Sequence, residues 1–359
     1  MTESKKRLPS LDVFRGATMA AMVIVNTPGS WSHIHPPLRH AAWHGCTPTD
    51  LVFPFFLFIV GVSIAVALPR QVEALGRGRR FHLRMLRRVV VLIGLGLLLN
   101  GFPGYELASL RFPGVLQRIA LCYGATVLLV LHGTLRVHAI LLPLVLVAYS
   151  VGLCLTGLEP GTDFGSAVDR ALFGEAHLYK GTYDPEGLLS TLPALANTLL
   201  GYWAGKVLVV GHRARARILG GSALTLALGA AWWWFEPLNK QLWTPSFALV
   251  TSGLAGLALL LCHQLVDRPA SHAWATPFEA MGRNAILLFV GSGVIARLLA
   301  RTTIETDAGT RSVWTAGYEG FFEPTFGQRN GSLVQAVCAL CVYASILLLL
   351  HRRRIYWKV

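Results

Sequence analysis

The sequence predicts an all-α integral membrane protein of about ten transmembrane helices with both termini cytoplasmic. Three observations carry this. The chain of 359 residues is 53% hydrophobic and 14% charged, where soluble domains average about 25% charged. Its mean hydropathy is +0.52. Its apolar residues fall into runs near the length that spans a bilayer, separated by loops of unequal charge.

The runs are 11–29, 50–68, 86–101, 113–131, 137–156, 188–208, 217–235, 245–263, 278–299 and 331–350. The third is short and holds Gly94 and Gly96. Lys5-Lys6-Arg7 resembles a signal n-region, but no small-residue cleavage site follows a short apolar core, so the first helix is expected to be retained. A single transmembrane domain over 1–359 is expected, since no soluble module, sustained repeat or low-complexity linker interrupts the runs. The long non-spanning parts are the loops near 158–187 and 300–330.

Orientation comes from the basic residues. With the N-terminus inside, nineteen of the 32 Lys and Arg residues fall in inside segments and eight outside. The net charge of +14 is therefore read as membrane orientation, with no nucleic-acid partner. His40 and the loop from Leu158 to Gly187 then lie on the outer side. That loop carries Glu159, Asp163, Asp169, Glu175, Asp184 and Glu186 against Arg170 and Lys180. It either attracts a cationic substrate or simply tolerates acids. The six cysteines are scattered. Cys338 and Cys341 form a C-x-x-C inside an apolar helix without a second pair, which is packing rather than redox or zinc chemistry.

Chemistry concentrates at the start of the second run. His40, Trp43, His44, Thr49 and Asp50 feed directly into an apolar segment, which puts titratable groups at a water–membrane boundary. His33, His35, His40, His44 and Cys46 have metal-ligand character, and His40 and His44 are spaced i, i+4. Pro36-Pro37 divides them, however, and no Asp or Glu lies among the histidines, so one working histidine is the better reading and no metal is expected. Asn26 stands at the outer end of the first run, where helix capping is its plain role. Ser10 is a plausible N-cap, and Asp12 and Arg15 can pair across one turn. Gln117 and Arg118 lie just inside the fourth run, where a charge needs a partner or a wet cavity. Arg88, Lys206 and Arg283 sit toward inner ends of runs, suited to lipid phosphate or a phosphorylated cofactor.

These residues stand in longer motifs: LDVFRG (11–16), HAAWHG (40–45), DLVFPFFLFIVGVSI (50–64), PGVLQRI (113–119), YDPEGLLST (183–191), PLNKQLWT (237–244) and IYWKV (355–359). In order and spacing they cover nearly the whole membrane core. The chain resembles the heparan-alpha-glucosaminide N-acetyltransferase family. The resemblance implies a membrane acetyltransferase that takes the acetyl group from cytosolic acetyl-CoA, without a metal, and gives it to a glucosamine-type amine across the membrane. It matches His40 to the family's active-site histidine and Asn26 to the neighbouring asparagine, with Asp50 in the same motif. Arg15, Arg88, Lys206 and Arg283 become candidates for the CoA phosphates, and Gln117 and Arg118 for the path beyond. A homodimer in the bacterial inner membrane is implied, in contact with lipid. The lumenal region that precedes the core in the animal enzyme is expected to be missing, and the loop before His40 differs, being rich in Pro and His. Free amino sugars or cell-wall fragments therefore become the expected acceptors. Intramembrane Arg and Asn also mark transport paths, so a transporter of an amino sugar or other small cation stands as the alternative, distinguished by having no need of acetyl-CoA.

Overall fold

The computed structural model describes residues 8–211, 213–267, 273–306 and 309–357. Lys5, Lys6, Arg7, Arg268 and Lys358, used above for orientation, lie outside the described residues, as does the end of the last motif. The helices in chain order are α1 (Pro9–Asn26), α2 (Val52–Leu75), α3 (Arg79–Gly101), α4 (Val115–His132), α5 (Leu135–Thr156), α6 (Phe164–Phe173), α7 (Thr191–Val210), α8 (Ala214–Trp233), α9 (Pro245–Val266), α10 (Thr276–Arg283) and α11 (Ala285–Arg301). A hairpin of β1 (Thr303–Thr306) and β2 (Gly309–Ser312) follows, then α12 (Val313–Gly317), α13 (Glu323–Phe326) and α14 (Gln328–Arg352). Each of the ten apolar runs is helical.

Among the described residues, five helices are long and apolar enough to cross a membrane by themselves: α2 with its leading turn, α4, α5, α9 and α14. The pair α10–α11 makes a sixth if it is counted as one span. Of the remaining helices α3 is the most charged, with Arg79, Arg80, Arg84, Arg87 and Arg88 among its first ten residues.

Three local expectations are corrected. The run 278–299 is not one straight helix but breaks at Asn284 with a 74° bend. There the Asn284 amide leaves its own helix, donating to Ile355 O at 3.3 Å and accepting from Trp357 N at 3.0 Å. Ser10 does not cap α1. Leu8 occupies that position, and Ser10 bonds Asp267 through both its backbone N–H and its hydroxyl. The segments read as long loops also have structure: α6 lies in the first, and the hairpin, α12, a π-turn over Tyr318–Phe322 and α13 lie in the second.

The described residues form two compact units, one within 8–40 and 258–357, the other within 41–257. The first is built on α1 against α10, with α14 alongside both. The second is built on α2 against α7, with α4 packed on both and α3 on α4. Lipid supplies no hydrophobic drive for two apolar helices to meet, so close approach of backbones must do so. Both units use the same device. In the first, a Cβ on Gly16 would stand 1.7 Å from Phe278 O and one on Gly282 1.8 Å from Asp12 O. In the second, a Cβ on Gly61 would stand 1.9 Å from Thr198 O and one on Gly201 2.1 Å from Phe58 O. Each helix presents a glycine to the other's carbonyl, so the contact is reciprocal and admits no side chain.

The apolar surface left over is that of a membrane protein. Leu135, Ile140, Leu144 and Leu155 on α5 are exposed, as are Val342, Ile346 and Leu349 on α14. At the end of α8, Trp233, Trp234 and Phe235 are exposed together, the aromatic signature of a bilayer interface.

Gly201→Val tests the packing. It should lower the thermal unfolding midpoint in detergent, by an amount in line with the roughly 1–3 kcal/mol of overpacking. Gly220→Ala, where a Cβ meets open space, should be neutral or stabilising because alanine is the better helix former. Equal midpoints for Gly201→Val and the parent would refute the close α2–α7 contact.

Candidate active site

Asn26 ends α1 and is exposed, and His40 is exposed at the end of the following loop. That loop is fastened inside the first unit. Gly29 N–H donates to Ser332 O at 3.1 Å and Ser30 N–H to Ser332 Oγ at 3.0 Å. Trp314 Nε1 donates to Pro28 O at 2.8 Å. The neighbouring histidines have structural work: His33 Nδ1 lies 3.4 Å from Tyr318 Oη, and His35 Nε2 lies 3.1 Å from Asn330 Oδ1. Among the described residues no group of three or more His, Cys, Asp or Glu is arranged to hold a metal ion.

In the second unit the segment after His40 is organised by Asp50. Its Oδ2 accepts from Ala41 N, Thr47 N and Thr47 Oγ1, each at 3.0 Å. Asp50 itself is 1% exposed, so this carboxylate spends its hydrogen-bonding capacity on the peptide chain rather than on water. Lys240 Nζ stands 3.6 Å from Asp50 Oδ1. Burial lowers the Lys240 pKa, and the Asp50 charge pulls it back up. The same loop makes two further ties: Gly45 N–H donates to Leu238 O at 2.7 Å, and Asn239 Nδ2 lies 3.3 Å from His44 Nδ1. Trp43 Nε1 donates to Leu158 O at 2.7 Å and its ring meets Tyr183 edge-on. Burial, with Asp50 second, pushes the Cys46 thiol up to about 11, so it is protonated at neutral pH and is no nucleophile.

Arg118 is fully buried. One terminal nitrogen donates to Gly187 O at 3.0 Å and to Ser190 Oγ, and the guanidinium lies 4.9 Å from the centre of the Trp243 ring. Its Nε and other terminal nitrogen have no hydrogen-bond partner. Gln117 Nε2 donates to Phe112 O at 3.0 Å, and its Oε1 has no partner. Trp243 is anchored below: its Nε1 donates to Asn197 Oδ1 at 3.0 Å, and Asn197 Nδ2 donates to Ala248 O, Thr251 Oγ1 and Ser252 Oγ.

The other candidate cations divide between the units. In the first, Arg15 pairs with Asp12 at 3.2 Å and donates to Gly282 O at 3.2 Å. Arg283, the next residue, lies 3.6 Å over the Tyr356 ring with Nε buried and without a hydrogen-bond partner. Two cations thus share one helix junction. In the second, Arg88 lies 4.5 Å over Tyr123, and Lys206 is exposed near the end of α7; no direct contact joins them.

The acids of the 158–187 loop are largely turned inward. Asp184 takes Arg111 through both oxygens, Glu186 takes the same guanidinium, and Tyr179 N–H adds a further bond to Asp184. Asp163 caps α6, and Asp169 accepts from Leu188 N at 2.9 Å. They fix the loop; Glu159 and Glu175 are the acids left exposed.

Sequence reasoning passed over Lys240, Asn239 and Trp243. Their signal was the PLNKQLWT stretch, polar residues directly after an apolar run, but nothing local links them to Asp50.

Asn26, His40, Asp50, Arg88, Gln117 and Arg118 stand in a stretch matched by a family model, while Lys240, Trp243 and Arg283 lie beyond it. Residues 7–232 match the model described as "Heparan-alpha-glucosaminide N-acetyltransferase, catalytic". The chain belongs to this family. It is 30% identical to the human heparan-alpha-glucosaminide N-acetyltransferase over an alignment covering 98% of this chain and 60% of that protein. It is 28% identical to the mouse protein, covering 99% and 61%. The chain therefore spans about three fifths of the length of the curated relatives it matches. Family membership weighs against the transporter reading.

Asp169 gives a pH test of the loop. Burial raises its pKa from 3.8 to about 6. The folded state then takes up a proton before the unfolded chain does as pH falls. This residue therefore opposes folding above about pH 6 and ceases to as pH drops toward 4. Asp169→Asn should gain stability relative to the parent at pH 7.5 and keep only about half of that advantage at pH 5, read by thermal unfolding. A gap independent of pH would refute the burial argument.

Proposed function

We propose that this protein is a membrane-embedded acetyltransferase that moves the acetyl group of cytosolic acetyl-CoA to the amino group of a glucosamine-type sugar on the outer side of a bacterial inner membrane. The observation that carries the proposal is the family match over a stretch in which Asp50 holds the peptide that directly follows an exposed His40. Ten spans with both termini inside, and lipid around them, complete the reading; the basic bias of the inner loops supports it.

The chemistry follows from the residues. An amine attacks a thioester carbonyl only when unprotonated. A neutral His40 imidazole takes the amine's proton as the C–N bond forms, and the C–S bond breaks to release CoA. A positioned base of this kind contributes about 10²–10⁴-fold. The Asn26 amide N–H is suited to the developing oxyanion, worth roughly 2.7–4 kcal/mol at other acyl-transfer sites. In an alternative route His40 is itself acetylated and passes the group on. The junction of Arg15 and Arg283, where two guanidinium groups come together, fits the CoA phosphates best among the candidate cations, although Arg88 Nε, like Arg283 Nε, is buried without a hydrogen-bond partner. Arg88 and Lys206 are the second set. Gln117 and Arg118, each with unmet hydrogen-bonding atoms, suit the path of the acyl group. A homodimer is part of the proposal by family resemblance.

Purified protein with labelled acetyl-CoA and a panel of amino sugars tests the activity. His40→Ala should lose nearly all turnover while still folding and still being stabilised by acetyl-CoA, by about 2.7 kcal/mol at a hundred times Kd. Arg15→Ala should shrink that stabilisation. Quenching with acetyl-CoA and no acceptor separates the routes, since a labelled His40 peptide appears only in the two-step case. Parent-level turnover by His40→Ala would end the assignment.

Sidedness has its own test. A reporter fused after Val359 should read cytoplasmic and one inserted near Thr162 external. A cytoplasmic Thr162 reporter would reverse the orientation and the side on which His40 works.

A further inference from the structure

The segment Ala41–Thr47 has no regular helix or strand to hold it. Its two ends hang on a single oxygen, Asp50 Oδ2, through Ala41 N, Thr47 N and Thr47 Oγ1. Such an oxygen accepts best while the group is ionised. A proton on Oδ2 would compete with the three donors, and one on Oδ1 would leave Oδ2 a neutral carbonyl, a weaker acceptor for them; burial by itself favours the protonated form. Something must hold the charge in place.

Lys240 is built for that. Its ammonium is 3.6 Å from Asp50 Oδ1. It stands in a loop that is itself rigid. Asn239 N–H donates to Thr244 Oγ1 at 3.0 Å, and Leu242 N–H donates to Asn239 Oδ1 at 2.9 Å. Trp243 adopts a left-handed backbone, φ 54°, a strained conformation for a bulky residue. It is kept there by its bond to the fully buried Asn197. The loop thus aims Lys240 from a foundation set in the helices of the second unit. Burial holds the lysine's pKa below its ordinary value; the Asp50 charge opposes this most, with Glu186 and Cys46 adding to it, without cancelling it.

We propose that Lys240 is a positioning residue of the active centre: it keeps Asp50 a carboxylate, and through Asp50 it fixes the peptide Ala41–Thr47 to which His40 is joined. Lys240 does not touch the reacting atoms. The proposal deepens the acetyltransferase reading and rests on it for its catalytic consequence, but not for its structural one.

The experiment has two arms, so that the two can fail separately. In the first, hydrogen exchange of a peptide covering residues 41–47 is followed from pH 5.5 to 8 in the parent, Lys240→Met and Lys240→Arg. An opposite charge within about 4–6 Å shifts a carboxylate by about 1–3 pH units. In Lys240→Met, loss of amide protection, corrected for intrinsic exchange, should therefore begin at least about one pH unit higher than in the parent, and Lys240→Arg should restore it. In the Asp50→Asn background, Lys240→Met should produce no further shift. In the second arm, the acid limb of kcat/KM for transfer to glucosamine should move upward by the same interval in Lys240→Met, with stabilisation by acetyl-CoA unchanged as the sign of a folded protein. Unaltered protection of 41–47 in Lys240→Met across the range would overturn the proposal. So would a loss of protection at every pH that Lys240→Arg does not rescue, which would mark lysine as mere packing. If the pH of protection shifts as expected but the parent transfers no acetyl group, the positioning role stands and the acetyltransferase reading fails.

Discussion

One buried carboxylate accepting three hydrogen bonds from a stretch of irregular chain is the constraint on which the site depends. Asp50 stands at the lip of α2, in the last turn before the peptide becomes a membrane helix. An irregular segment has no ladder of its own, and each buried N–H left unmet there carries a desolvation cost. Asp50 meets donors at both ends of Ala41–Thr47 at once.

The helices obey a parallel economy. Apolar side chains gain nothing from leaving lipid for one another, so the two units are joined internally by backbone proximity and by a few polar side chains with every reason to be buried. Asn197 illustrates the second device. Its amide gathers Ala248, Thr251, Ser252 and Trp243 at one point. That point is both a helix-packing contact and the footing of the loop that carries Lys240. Stability and site geometry therefore draw on the same side chain.

The ten apolar runs were legible because hydropathy is a local property, and each is helical, the ninth as two helices. The break at Asn284 was not, since what ends the helix is a pair of bonds to residues 355 and 357, some seventy positions away. The HAAWHG and DLVF stretches drew attention to His40 and Asp50 through their placement at a boundary, which is again local. Lys240 could not be joined to Asp50 in the same way: the two are 190 positions apart, and a lysine after an apolar run reads as an ordinary interfacial residue. What the acids of the 158–187 loop do stayed open in the sequence for a related reason. Charge is visible in sequence, but whether a carboxylate faces water or an internal arginine depends on where Arg111 lies, and Arg111 is seventy-three positions from Asp184. Glycines at 16, 61, 201 and 282 look alike in sequence to the glycines at 94, 220 and 221, which face open space.

The exposed aromatic cluster at the end of α8 ties this chemistry to the membrane itself. Trp233, Trp234 and Phe235 prefer the headgroup layer, and Glu236 follows them immediately, with Lys240 four residues further on. The loop that supports Asp50 is thus moored to the lipid boundary by its own preceding residues. A bilayer of different hydrocarbon thickness would drag that mooring with it, since mismatch is relieved by tilting or by moving the interface. Hydrocarbon thickness thus bears on where the loop of Lys240 sits against the headgroups.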